Sequence, residues 1–149
     1  MNDTAQAGKL NDPQRRSLQN ILMSMEQLVE RSRELRARAG HGDEDGVLIK
    51  RQARLDDKRQ GELKQLEEAT LAQLKVMRDE FDLQRTVEDL RHKLHVEFSV
   101  LWDDLADERS ASMTRYGTVD PDAAATLDPA VERLAELSLA FADLLNEEN

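Results

Sequence analysis

From Glu62 to Tyr116 the chain runs 55 residues without a glycine or a proline. Glu, Lys, Arg, Gln, Leu and Ala dominate that stretch, and all of them favour the helix. With nothing to stop it, such a segment forms a rod of about 80 Å at 1.5 Å per residue. That is longer than the body of an ordinary domain of this size. A rod of that length either folds back on itself or meets another chain.

The flanking signals extend the pattern. Gly40-His41-Gly42-Asp43-Glu44-Asp45-Gly46 reads as a stop and a turn. A second helical stretch begins near Val47, tolerates Gly61 and ends at Gly117, a natural residue for a helix C-terminus. Before the turn, Asp12-Pro13 reads as a cap followed by proline in the first turn. Leu18, Ile21/Leu22, Met25, Leu28/Val29, Ser32, Leu35 and Ala39 then recur at coiled-coil spacing, giving a first helix over 13–39. After the loop 117–127, Asp128-Pro129 repeats the start signal. Val131, Leu134, Leu137/Ser138, Phe141 and Leu144/Leu145 follow on a seam of their own, giving a last helix over 129–147. No strand pattern is visible, and residues 1–12 read as a flexible tail ahead of a single helical domain over 13–149.

The apolar stripe of the central stretch changes phase. Leu63, Leu66, Leu74, Met77 and Phe81 share one face, with Thr70 as its polar member. Leu83, Val87, Leu90, Leu94, Phe98, Leu101 and Leu105 share another, about 120° away at 100° per residue. The shift falls between Asp82 and Thr86, where Thr86 and Asp89 form a partial capping box. Asp82-Leu83-Gln84-Arg85 otherwise lacks turn residues. The expectation is therefore an all-α fold of coiled-coil or bundle type, with one continuous or kinked helix over about 47–116 and shorter helices packed back on it. The alternative is a four-helix bundle broken near 82–86. In the continuous form Met77, Phe81, Leu83, Val87 and Leu90 lie uncovered in mid-helix. Such a strip calls for a second subunit, most simply in an antiparallel dimer.

Charge narrows the partners. The formal net charge is −10, unevenly spread: residues 1–40 hold seven Lys/Arg against five Asp/Glu, and residues 117–149 hold one against eight. That balance speaks against nucleic acid and against an anionic membrane surface, and toward protein partners. The basic run Arg31, Arg33, Arg36 and Arg38 is interleaved with Glu30 and Glu34, so it reads as a solvated or ion-paired face. The absence of cysteine removes disulfide, thiolate-metal and cysteine-nucleophile chemistry and fits a cytoplasmic protein.

Candidate sites are few. Glu88, His92 and His95 fall on one side of the helix but lack the Glu-x-x-His pairs of a di-iron bundle, and Arg91 and Lys93 flank them. The acidic loop from Asp43 has Arg54 where a calcium loop needs its last glutamate. No phosphate loop or nucleophile motif occurs. The chain thus reads as a non-catalytic scaffold or interaction module with no cofactor, no metal and no small-molecule substrate. Self-association is assigned to Met77, Phe81, Leu83, Val87 and Leu90, and a partner surface to Phe98, Trp102 and Phe141. The runner-up function is a small acidic helical chaperone or adaptor that binds an amphipathic client segment.

Overall fold

A computed structural model describes residues 10–146. The fold is all-α, and the chain forms two compact units, Met1–Arg85 and Thr86–Asn149. The first unit holds helix α1 (Asp12–Arg38), a minimal ladder of β1 (Glu44–Asp45) with β2 (Lys50–Arg51), and helix α2 (Asp57–Glu80). The second holds α3 (Leu90–Leu105), a short α4 (Ser110–Met113) between two single 3₁₀ turns, and α5 (Pro121–Leu144).

Helix α1 starts one residue earlier than its proline suggests. Asn11 is the cap: its side chain accepts from the Gln14 amide at 2.8 Å, and the Gln14 side chain accepts from the Asn11 amide at 3.0 Å. This reciprocal capping box satisfies two of the orphan amides of the first turn, and Asp12 belongs to the helix rather than to a tail. Residues 1–9 of the expected tail, and residue 147 of the expected last helix, lie outside the described residues.

The continuous helix over 47–116 is not formed, and three local causes break it. The first is an antiparallel ladder that pairs Glu44 with Arg51 and Asp45 with Lys50, opposite charges directly across from one another. Asp43 adds Lys50 at 3.7 Å and Arg54 at 3.6 Å. Gly46 donates to the Ile49 carbonyl at 2.8 Å, and a Cβ on Gly46 would stand 2.9 Å from that oxygen, so only glycine allows the close approach. Residues 47–56 are spent on this hairpin and its exit, and helix α2 begins only at the Asp56 cap, which accepts from the Arg59 amide at 2.8 Å.

The second break lies at the phase change. Phe81 closes α2, Asp82 takes a left-handed conformation with φ 53°, and the Leu83 amide reaches back to the Arg78 carbonyl at 2.9 Å. That six-to-one bond is the Schellman stop, here with aspartate in the place usually held by glycine. Leu83 is buried at 8% exposure, and the Gln84 carbonyl accepts from the Gln19 side chain of α1 at 2.8 Å. The chain then has no regular secondary structure up to Asp89, which caps α3 by accepting from the His92 amide at 3.2 Å. The cap is thus Asp89 rather than Thr86.

The third break follows Leu105. Arg109 is extended, and Ser110 gives both its amide (2.8 Å) and its hydroxyl (2.7 Å) to the Asp128 carboxylate. Asp128 is therefore not the cap of the last helix. That role falls to Asp120, which accepts from the Asp122 amide at 2.8 Å and places Pro121 in the first turn. Helix α5 begins eight residues before the expected start at 129 and carries Pro129 in its interior. There the proline removes one ladder bond without ending the helix. Ser110 holds the Asp128 carboxyl below the usual carboxylate range.

Within the first unit, α1 and α2 enclose a buried polar knot. The Glu67 carboxylate is 3% exposed and accepts Arg36 Nη2 at 2.6 Å, Arg36 Nε at 2.9 and 3.0 Å, and the Ser32 hydroxyl at 2.7 Å. Arg36 and then Ser32 hold the Glu67 carboxyl below its ordinary range, against the opposing effect of desolvation. A depressed carboxylate stabilises the fold fully above its unfolded pKa of about 4.3 and gives up that stabilisation as pH falls through the folded value. Glu67→Gln is expected to cost about 2 kcal/mol at pH 7. It should also flatten the loss of melting temperature that the wild type shows on acidification below about pH 4.3. Thermal melts followed by circular dichroism across pH 3–7 read both effects.

Candidate interaction surfaces

The second unit shows how its helix contact is built. Helix α5 buries Val131, Ala135, Ser138 and Ala142, a stripe of mostly small side chains that lets α3 approach closely. Side-chain hydrogen bonds to backbone carbonyls cross the contact. The Ser138 hydroxyl donates to the Phe98 carbonyl at 2.9 Å, and His95 Nδ1 lies 2.6 Å from the Ala142 carbonyl. A carbonyl only accepts, so Nδ1 carries the proton. Ala142 is in the last turn of α5, where carbonyls lack intrahelical donors, and His95 supplies one from the neighbouring helix.

This packing leaves the large apolar residues outside. The expected seam on α5 is Val131, Leu134, Leu137/Ser138, Phe141 and Leu144/Leu145; Val131 and Ser138 of it are buried, and Ala135 and Ala142, outside it, complete the buried stripe. Leu134 (54%), Phe141 (50%) and Leu144 (80%) remain largely exposed, with Leu137 not far behind. On α3 the same holds for Leu90, Leu94 and Leu101. At 100° per residue, Leu90, Leu94, Phe98 and Leu101 fall within about 80° on α3, and Leu134, Leu137, Phe141 and Leu144 do so on α5. Phe98 and Phe141 stack face to face across the two helices, with centroids 4.4 Å apart and planes 3° from parallel. That stack puts both stripes on the same side of the hairpin, as one apolar face.

The expected partner surface is thus divided. Phe98 and Phe141 are brought together at the centre of this face. Trp102 is half-exposed and joins no aromatic contact among the described residues. The expected self-association strip is also divided. Met77 and Phe81 are half-buried at the end of α2, Leu83 is buried, Val87 is exposed in the segment between α2 and α3, and Leu90 opens α3. These five residues share no helix face, because the helix that would align them stops at Glu80.

The first unit carries an open stripe as well. On α1, Val29 is buried and Ser32 and Arg36 turn to Glu67 of α2, so Val29 and Ser32 of the expected seam face inward. Ile21, Met25, Leu28 and Leu35, at the four-three spacing of a coiled coil, stay exposed, and Leu66 of α2 is exposed too. The arginine run parts accordingly: Arg36 turns inward to Glu67, and Arg38 reaches Glu44 at 3.8 Å. Arg31, Arg38 and Arg51 with Glu34, Glu44 and Leu35 line a cleft of about 220 Å³ beside the ladder.

The imidazole cluster is committed elsewhere. Glu88 binds Lys93 at 2.9 Å and raises that ammonium's pKa, while His95 is held by Ala142. Among the described residues, no group of three or more His, Asp or Glu is placed to hold a metal ion. Nor is any described helix long and apolar enough to cross a membrane. No protein-family model matches the chain, and no curated protein or solved structure matches it.

Sequence reasoning missed Glu67 and did not separate the inward members of each seam, Val29 and Ser32 or Val131 and Ser138, from the exposed ones. The polar Ser32 inside the α1 heptads was a usable signal, because a buried hydroxyl demands a partner from the facing helix. His95→Ala removes the donor to the Ala142 carbonyl and is expected to cost about 1 kcal/mol. Chemical denaturation monitored at Trp102, which lies on the same helix, measures that loss. His95→Gln, which can still donate, should recover part of it.

Proposed function

We propose that the chain is a non-catalytic interaction module that self-associates through its first unit. The observation that carries this reading is the exposed part of the heptad seam, Ile21, Met25, Leu28 and Leu35, left open while Val29, Ser32 and Arg36 of α1 face inward. A stripe at coiled-coil spacing has one efficient use, which is burial against another helix. Leu66 of α2 is exposed as well, and Met77 lies farther along that helix. Charge places no barrier there: residues 1–85 hold sixteen Lys/Arg and sixteen Asp/Glu, so two copies meet without net repulsion.

The polar groups support a structural rather than a catalytic assignment. Ser32 serves Glu67, Ser110 serves Asp128, Ser138 serves the Phe98 carbonyl, and His95 serves the Ala142 carbonyl. A cytoplasmic setting, inferred from a chain with no cysteine, belongs to the same proposal.

Light scattering with a measured mass tests self-association. The wild type is expected as a dimer or higher assembly at micromolar concentration. Ile21→Gln with Leu28→Gln changes two exposed side chains and should lower the mass to that of one chain without loss of helicity. A wild-type protein that stays monomeric throughout, or a double variant with unchanged mass, sinks the reading.

A further inference from the structure

We propose that the apolar face of the α3–α5 hairpin is a docking surface for a cationic amphipathic helix of another protein. The inference goes beyond self-association and does not rest on it, because the face belongs to the second unit.

The shape of the site comes first. Leu94, Phe98 and Leu101 on one helix and Leu134, Leu137 and Phe141 on the other form two parallel ridges on one side of the hairpin, joined by the Phe98–Phe141 stack. The shallow channel between two antiparallel helices accepts a third, which completes a three-helix bundle and covers both ridges with one apolar stripe. The centre of the face is aromatic and already ordered by stacking, so binding there orders few additional rotamers.

Charge then selects the occupant. Residues 86–149 hold fifteen Asp/Glu against five Lys/Arg, so the whole net charge of −10 resides in this unit. Its cations are already engaged. Lys93 lies 2.9 Å from Glu88, Arg109 is 3.9 Å from Glu132, and Arg133 is 3.4 Å from Glu136. Arg115 sits over the Tyr116 ring at 4.8 Å, and Arg91 has an interaction of its own. The acids are in excess, and exposed Glu97 and Asp104 stand three residues beyond Leu94 and Leu101, beside the ridge. A second copy of this unit would bring ten surplus negative charges to meet ten more. A helix with leucine-like residues on one face and Lys or Arg around it satisfies the apolar ridges and the surplus acids together.

The test uses the full chain and a fluorescent synthetic peptide of leucine and lysine in amphipathic helical order. Two further peptides serve as controls, one with the same composition scrambled and one with glutamate in place of lysine. Anisotropy is expected to show binding of the amphipathic cationic peptide at least tenfold tighter than either control, weakening as salt is raised. Leu94→Gln, Leu101→Gln and Leu137→Gln together alter only exposed positions. That triple variant should keep its circular dichroism and lose at least tenfold in affinity. The Ile21→Gln/Leu28→Gln protein should bind the peptide as the wild type does, whatever its mass. Equal binding of the scrambled peptide, or undiminished binding by the triple variant, overturns the proposal. So does a triple variant whose measured mass falls, since the face would then join two copies of this chain.

Discussion

How closely two helices can approach is set by the side chains between them, and this constraint organises both halves of the molecule. In the α3–α5 hairpin the contact is made by Ala135, Ser138 and Ala142, with Ala142 2% exposed. Small residues permit the approach, and the approach brings His95 and Ser138 within hydrogen-bonding distance of backbone carbonyls on the opposite helix. Large residues cannot occupy that line. They are carried about 110° round each helix, where they form a face instead of a core. The α1–α2 hairpin solves the same problem with a charge. Ser32, Arg36 and Glu67 fill the contact, and Ile21, Met25 and Leu28 remain outside.

These choices explain which parts of the fold could be read from the sequence. The helical class, the seams and the phase change at Asp82–Thr86 follow from periodicity, which every turn of helix reinforces. Helix ends depend on single residues. Asp82 stops α2 in a left-handed conformation that glycine usually adopts, so its identity gave little warning. Asp120 and Asp128 both precede proline, and either could have capped α5. The choice was made by Ser110, eighteen residues upstream of Asp128, which draws that carboxylate away. The hairpin at 44–51 depends on cross-strand pairing of Glu44 with Arg51 and Asp45 with Lys50, a long-range match that helix propensity does not register.

The candidate surfaces were legible in composition and not in address. The α5 periodicity marked Val131 and Ser138, which the hairpin buries, together with Leu134, Leu137, Phe141 and Leu144, which it leaves exposed. A heptad pattern states that a stripe will be buried; it does not say by what. In each unit the packed helix covers part of the pattern, and Ile21, Met25 and Leu28 in one and Leu134 and Phe141 in the other stay exposed. The aromatic pair Phe98 and Phe141 was identifiable because aromatic residues are scarce here. Their meeting at 4.4 Å fixes the side of the hairpin on which the exposed stripes lie.

Register is what makes such a face usable. A helix slipped by one residue rotates its side chains by about 100°, enough to carry Leu134 and Phe141 away from Leu94 and Leu101. Apolar contacts alone tolerate such slips, because one aliphatic side chain can replace another at small cost. Directional bonds do not. The His95 ring reaches one carbonyl in the last turn of α5, the Ser138 hydroxyl reaches one carbonyl of α3, and Glu67 is saturated by one arginine and one serine. Each pairing contributes modestly to stability, since burial of the groups offsets much of the gain. Their larger effect is to exclude other alignments. Polar groups placed inside thus hold Leu94 and Leu101 of α3 and Leu134 and Phe141 of α5 on a common side of their hairpin.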